Sequence, residues 1–361
     1  MSKVASRDYS GKKVFVGVDV HKIKYSVSVV CDGEVVKKWS CPAGPESLAE
    51  QLLRYFQGAE IQAAYEAGFS GFGLHRTLSA TGKINSLVVN AGSIPVGNSR
   101  VKTDARDARK IAEELAAGKL HSIYIPTEAE EDARSLSRGR AQTVDRRKRL
   151  ANQFKGKIHH MGFALPADGK VSEAFIESVE KAILPKLTEG HLFALKELIQ
   201  GWREETERIK RFDRALKLQA ADDELEPIYR SAPGIGAVSA RMLSNELADM
   251  TRFDNERQLF SALGLTPSED SSGERVRKGN ITRQGNSRLR GILTEVAWRA
   301  IAKDQSLKEF YSRVAARRDS KRAIVAVSRK ILGRLRHCLR NRIHWQDLAH
   351  EPESASGTCS L

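Results

Sequence analysis

The 361-residue chain carries 60 Lys and Arg against 45 Asp and Glu, a net charge of +15 and a pI near 9.7, which favours a polyanionic partner such as nucleic acid without separating DNA from RNA. That length predicts two or three domains, since domains typically run about 100 to 200 residues. The four cysteines, Cys31, Cys41, Cys338 and Cys359, show no CxxC pairing and no histidine at ligand spacing, which argues against a zinc site or a disulfide framework; no apolar run approaches the roughly 20 residues of a membrane span, so a soluble, cytoplasmic protein with no membrane partner is expected.

From Lys13, the runs VFVGVDV, YSVSVVC and EVVKKWS read as three β-rich segments separated by HKIK and the turn former DG, a three-stranded meander. An amphipathic helix around Pro45 to Phe56, a strand at IQAAYE, a helix near Gly73 to Ala80, a strand at SLVVN and a helix from Asp104 to Ala117 follow. Strands followed by strand–helix alternation indicate an α/β domain with a mixed sheet, assigned to residues 12–125.

Strand signals then stop, and apolar residues recur at helical spacing, as in Leu150, Phe154, Ile158 and Met161, or Leu192, Leu195, Ile199 and Trp202. Two long helices forming an antiparallel coiled-coil arm over 126–222 are predicted, interrupted by Gly162 to Gly169 with Pro166 inside it. A mostly helical domain over 223–345 and a short polar tail, 346–361, expected to be disordered, complete the chain.

Asp19 ends the strand VFVGVDV, where alternation places Val14, Val16 and Val18 on one face and Phe15, Gly17 and Asp19 on the other. Taken alone, a strand-end aspartate is a turn former or helix cap more often than a metal ligand. Glu66 ends the next strand-like run, and Asp104 and Asp107 lie one turn apart on one face of a starting helix, where a plain N-terminal acid bias is the competing reading. Carboxylates at the ends of several elements together suit Mg²⁺, a hard ion that prefers oxygen ligands and bridges to phosphate oxygens. This order of strands and acids resembles an RNase H-like fold of the kind found in Holliday-junction resolvases and many transposases.

In the C-terminal region, APGIGAVSARMLSNEL resembles a helix-hairpin-helix element whose Pro233, Gly234, Ile235 and Gly236 turn can present backbone N–H groups to a phosphate; simple packing is the alternative. Downstream, a Ser-Ser-Gly loop precedes Arg275, Arg277, Lys278, Arg283, Arg288 and Arg290, a density that suggests phosphate recognition. A second basic stretch from Arg313 to Arg342 alternates with Ile324, Val327, Ile331, Leu332 and Leu335, so that one helix face packs and the other is cationic. The histidines form no ligand pattern, and His21, although close to Asp19, reads as an incidental loop residue.

The motifs VGVDVHK, the acid in YEAG, KTDARDA, PGIG, GLTPSEDSSG and RQGNSRLR, in that order, resemble the insertion-sequence 110 family, the DEDD transposases, and the likeness runs from Val14 to about Arg342. The resemblance implies that a RuvC-like domain supplies Asp19, Glu66, Asp104 and Asp107 as metal-binding carboxylates and that the C-terminal domain supplies a nucleophilic serine. Counting from GLTP, that serine falls on Ser272, with Ser271 beside it as the alternative, and Gly273 frees the backbone for close approach to phosphate. It further implies Mg²⁺, a phosphoserine–DNA intermediate that conserves bond energy for rejoining, and a homo-oligomer, dimer to tetramer, in which carboxylates and serine meet between subunits. A structured noncoding guide RNA that selects donor and target DNA, in a nucleoid-associated prokaryotic setting, is implied by the same likeness. The alternative is a Holliday-junction-type nuclease in which metal-activated water replaces the serine.

Overall fold

The computed structural model describes residues 8–90, 92, 94, 103–165, 170–269 and 278–350. These form two compact units, Met1–Pro126 and Thr127–Leu361. The first is mixed α/β and the second is almost wholly helical among the described residues.

In the first unit, β1 (Lys13–Val20), β2 (Lys24–Cys31) and β3 (Glu34–Pro42) form the meander, followed by α1 (Pro45–Tyr55), β4 (Glu60–Glu66), α2 (Gly73–Ala80), β5 (Ile84–Val89) and α3 (Asp104–Ala116). The sheet order is β3-β2-β1-β4-β5. β1 runs antiparallel to β2 and parallel to β4, and β4 runs parallel to β5. Asp32 and Gly33 turn β2 into β3 with φ of 52° and 81°, the paired left-handed conformations of a type I′ hairpin that the DG dipeptide favours.

The alternation read in β1 sets the layering. Val14, Val16 and Val18 are fully buried against Leu48 and Leu52 of α1 and Leu74 and Leu78 of α2. Each such side chain contributes roughly 1.5–3 kcal/mol on leaving water. The opposite face, with Phe15, Ala64 and Val89, packs against Ile111 and Leu115 of α3. Gly17 lies on that face, and a Cβ there would stand 2.0 Å from the Ala108 carbonyl oxygen and 2.5 Å from the Ala112 nitrogen. Only glycine lets α3 sit this close to β1.

The second unit begins with α4 (Glu128–His160), α5 (Glu173–Ala182), a 3-10 turn at Leu184–Lys186 and α6 (Glu189–Ala221). A capping box at Thr127 and Glu130 starts α4. Arg140 meets Asp213 at 2.5 Å and Arg146 meets Glu205 at 3.2 Å, while Gly139 faces Phe212 and Leu150 faces Gly201. Rising numbers on α4 meet falling numbers on α6, so the pair is antiparallel. The break predicted between them begins at Gly162, with φ 81°; residues 166–169 lie outside the described ones. α5 is an addition to the two-helix expectation. Phe175, Ile176, Val179 and Ile183 form one apolar stripe that closes a small core with Phe154, Ile158, Leu195, Ile199 and Trp202.

The rest comprises α7 (Glu226–Ser231), α8 (Ala237–Leu247), α9 (Glu256–Ala262), β6 (Pro267–Glu269), β7 (Lys278–Ile281), α10 (Ser287–Ala300), α11 (Gln305–Arg317), α12 (Ser320–Asn341) and a terminal 3-10 turn at Trp345–His350. Their apolar faces share one core that includes Leu243, Leu259, Leu293, Val327, Ile331 and Leu335.

α8 is tied in by polar groups as well. Asn245 Nδ2 donates to the Ala133 carbonyl at 2.8 Å and to Gln219 Oε1 at 3.0 Å. Glu246 accepts a two-pronged pair of bonds from Arg138, at 2.7 and 2.9 Å, and a third from Asn286 at 3.1 Å. Buried Arg241 contacts Asp223, and Ser244 donates to the same carboxylate at 2.7 Å. These bonds fasten α8 to the base of the α4–α6 pair and to the cap of α10, and a buried network of this kind is costly to break at any one member.

Candidate active site

Two of the carboxylates nominated from sequence, Asp19 and Asp104, meet at the C-terminal end of β1, an interior strand of the first unit's sheet, and Asp107 is close enough to act on Asp19. β1 and β4 are parallel neighbours with Val18 level with Tyr65, so one further step along each strand brings Asp19 level with Glu66. Alternation puts Glu66 on the same face as Ala64, the α3 face that also carries Asp19. α3 starts at Asp104, with Thr103 as its N-cap and Asp104 and Asp107 both in its first turn. The close approach at Gly17 holds that first turn over the strand ends. Thr103, not Asp104, occupies the N-cap position, and the Asp104 carboxylate faces His21 and Lys24.

The strongest geometric link is between Asp19 and Asp104, bridged by a residue that the sequence reading set aside. His21 Nε2 lies 3.2 Å from Asp19 Oδ2 and 3.4 Å from Asp104 Oδ1. Lys24 Nζ sits 2.8 Å from the other Asp104 oxygen. Asp19, His21 and Asp104 can each present one ligand atom within 4.8 Å of the others. In the extended chain Asp19 and His21 are two positions apart and point the same way, and the bond from His21 N to the Lys24 carbonyl at 3.1 Å fixes the turn that returns Lys24 to the site. The signal was the VDVHK spacing, but recognising it required knowing that β1 runs into a tight hairpin beside α3.

The electrostatics separate the two aspartates. Burial pushes the Asp19 carboxyl above the usual range, His21 pulls it down, and the negative charges of Asp104 and Asp107 push it further up. Asp104 is held below its usual range chiefly by the hydrogen bond from Lys24. Two carboxylates crowded beside one imidazole bring together groups that can ligate a divalent cation. The donor set, carboxylate oxygens with one imidazole nitrogen, fits such an ion. Glu66 is exposed and Asp107 half-buried; Asp107 is close enough to act on Asp19.

In the second unit, Ser271, Ser272, Arg275 and Arg277 lie outside the described residues, and they fall in sequence between β6 and β7, a short antiparallel pair that the helical expectation lacked. Lys278 opens β7. Arg283 and Arg288 are exposed, whereas Arg290 is half-buried and its Nη1 donates to the carbonyls of Leu263 at 2.9 Å and Gln284 at 2.7 Å. Arg290 therefore clamps the turn where Gly264 and Gly285 approach the opposite backbone, Cβ positions on them falling 2.1 and 2.0 Å from carbonyl oxygens.

The two glycines of PGIG also differ. Gly234 is buried, with φ 81°, and a Cβ there would lie 2.5 Å from the Val296 oxygen; its backbone is required by packing on α10. Gly236 is exposed, with open space around it, and is the N-cap of α8. On α12, Arg336 donates to the carbonyls of Phe253 and Asp254, both at 2.7 Å, and Arg334 and Arg329 stack on Trp345 and Phe260. Part of this basic stretch thus serves packing, while Lys321 and Arg322 at the start of the helix are exposed. No described helix is long and apolar enough to cross a membrane.

Comparison with known proteins gives two family matches. A profile described as "Transposase IS116/IS110/IS902 family" matches residues 227–312, and a DEDD-type transposase profile matches residues 16–161. The second span contains all four carboxylates, and the first contains PGIG and the serine pair. Among curated relatives, y4qE of Sinorhizobium fredii, described as a transposase, is 31% identical over 81% of this chain and 73% of its own length. A second protein of that organism described as a transposase, y4rJ, is 29% identical over 79% of this chain and 80% of its own. The transposase for insertion sequence element IS1111A of Coxiella burnetii is 26% identical over 63% and 64% of the two chains.

Proposed function

Because this chain belongs to the IS116/IS110/IS902 family of transposases, enzymes that cleave and recombine DNA, we propose that its first unit is an RNase H-like catalytic domain in which Asp19, Glu66, Asp104 and Asp107 hold Mg²⁺ at the scissile phosphate. The observation that carries this reading is the convergence of Asp19 and Asp104 on shared partners at the strand ends. Parallel pairing that brings Glu66 level with Asp19, and Asp107 one turn along α3, support the full set.

When bound, the ion would supply Lewis-acid polarisation of a phosphoryl oxygen. The protein's own groups do the rest. Gly17 seats α3 against β1 and so fixes the spacing of the acids; Lys24 orients the Asp104 carboxylate and offsets its charge. Ser272 is the proposed nucleophile: its Oγ forms a bond to phosphorus as the phosphorus bond to the leaving sugar oxygen breaks, and that oxygen departs as a hydroxyl after taking up the serine's proton. A hydroxyl from the partner strand then attacks the phosphoserine, rejoining DNA and releasing the serine with no net loss of phosphodiester energy. Because acids and serine lie in different units, activity is proposed to require their meeting, between subunits of a tetramer.

The nucleic-acid surface is proposed to include Gly236, Arg275, Arg277, Lys278, Arg283 and Arg288, with Gly234 and Arg290 shaping the turns that present them. A structured noncoding guide RNA would specify donor and target DNA, and the charge of +15 is compatible with holding RNA and duplexes through their backbones. The long α4–α6 pair is proposed as an arm between the catalytic domains. The protein would act in the prokaryotic cytoplasm.

The test is cleavage of element-end DNA by Asp19→Asn, Glu66→Gln, Asp104→Asn and Asp107→Asn proteins in Mg²⁺. Each loses cleavage by at least a hundredfold if it is a ligand. Wild-type rates in any of them remove that residue from the proposed set.

A further inference from the structure

Resting on the carboxylate reading above, we propose that His21 is a direct nitrogen ligand of the same metal centre, so that the centre takes Mn²⁺ more tightly than a site of oxygen ligands alone would. Around an octahedral ion with bonds of about 2.1–2.2 Å, adjacent ligand atoms stand on the order of 3 Å apart and opposite ones about 4.3 Å. His21 Nε2 lies 3.2 Å from Asp19 Oδ2 and 3.4 Å from Asp104 Oδ1. All three atoms fall within 4.8 Å of one another. Those are the edges of a coordination polyhedron opened by a few tenths of an ångström, and an ion seated among them would draw them in.

The surroundings support a ligand more than a surface ion pair. His21 is held by the hairpin through its backbone bond to Lys24, and the Ala43 N–H bonds the Ile23 carbonyl at 2.9 Å, bracing the same turn against β3. Lys24 occupies Asp104 Oδ2 at 2.8 Å, leaving Oδ1 turned toward His21. A cation on the outer oxygen of a ligating carboxylate is a supporting contact that fixes ligand orientation. With His21 about half exposed, at 46% of its side chain, its substitution removes a ligand without opening a core.

The chemistry then selects the ion. Mg²⁺ prefers oxygen donors and keeps its waters, whereas imidazole is a good donor to the divalent transition metals. A site with one nitrogen and several carboxylates should therefore accept both ions and hold Mn²⁺ better, and the loss of His21 should weaken Mn²⁺ more than Mg²⁺.

The experiment loads the full-length protein with Mn²⁺ alone and records pulsed electron paramagnetic resonance for coupling to directly bound ¹⁴N, with ¹⁵N-histidine labelling as the check. Wild type is expected to show one such nitrogen; His21→Ala loses it and binds Mn²⁺ about tenfold to a hundredfold more weakly, with a smaller change for Mg²⁺. Mn²⁺ bound in an Asp19-dependent manner without nitrogen coupling overturns the proposal and leaves the carboxylate site standing. Mn²⁺ binding that Asp19→Asn does not change overturns the carboxylate reading itself, and the two failures are thereby distinct.

Discussion

Replacing Gly17 with alanine should damage the site without touching any of its acids. The new methyl would lie 2.0 Å from the Ala108 carbonyl oxygen and 2.5 Å from the Ala112 nitrogen, both backbone atoms in a helix, so no side-chain rotation relieves the clash. Ordinary carbon–oxygen contact needs on the order of 3.4 Å, so α3 must move by more than about 1 Å or β1 must bend. Overpacking of this kind costs roughly 1–3 kcal/mol. Because Asp104 and Asp107 ride on the first turn of α3, the same shift misplaces two of the four acids, and about 1 Å of misplacement is enough for a loss on the order of a hundredfold in rate. Urea denaturation, Mn²⁺ affinity and cleavage of element-end DNA measure the three consequences. Gly73→Ala is the control, since nothing lies within 4 Å of its Cβ position and its φ is ordinary; it should match wild type or gain slightly from helix propensity. Wild-type stability together with wild-type metal affinity in Gly17→Ala would refute the claim that this contact sets the acids' spacing.

Arg241→Met should destabilise the second unit by about 3–5 kcal/mol, because it strands the Asp223 and Glu226 carboxylates without their buried cation. Burial pushes Asp223 up, but bonds from Ser244, the Leu225 N–H and Arg241 outweigh it and hold the carboxyl below its usual range; its contribution is therefore present above the ordinary aspartate pKa and lost as pH falls through the lowered one. Glu226 is raised, first by burial, and runs the other way, its contribution fading as pH rises through the raised value. Acid denaturation of wild type and variant should accordingly show a flatter low-pH limb in Arg241→Met, and parallel limbs would contradict the pairing. Gly234→Ala combines a left-handed φ with a 2.5 Å clash and should cost about 2–4 kcal/mol in a denaturant titration, whereas Gly236→Ala, with open space around it, should lose no more than about 1 kcal/mol, the preference for glycine over alanine at the α8 N-cap; equal effects would refute the division of labour in that turn.

Local patterns carried the first unit well. The strict alternation of VFVGVDV announced both the buried valines and the opposite face bearing Gly17 and Asp19, and the DG dipeptide announced its hairpin through the φ values that turn demands. The place of His21 was hidden, because its importance depends on a neighbour, Asp104, far away in sequence and brought in by the packing of α3. β6 and β7 are too short to give a period, and α5 falls just after the break at Gly162 to Gly169, in a stretch assigned to the two-helix arm. Cations were the least legible residues. Arg290 and Arg336 look like Arg283 and Arg288 in sequence, yet the first two spend donors on backbone carbonyls, a distinction that only tertiary structure makes. The same holds for Gly234 and Gly236, identical letters in one motif with opposite surroundings. Ser272 was reached through family resemblance, since a loop serine beside glycine carries no pattern of its own.

The most direct test of the transposase account is the covalent link. Full-length protein is incubated with Mg²⁺, the element's flanking RNA and end-labelled donor and target DNA, then resolved on denaturing gels for label that stays with the protein. The account predicts an adduct in wild type and Ser271→Ala that is absent in Ser272→Ala. Cleavage that continues in Ser272→Ala, with no adduct in any of the three proteins, would contradict it and make the enzyme a metal-dependent nuclease that uses water.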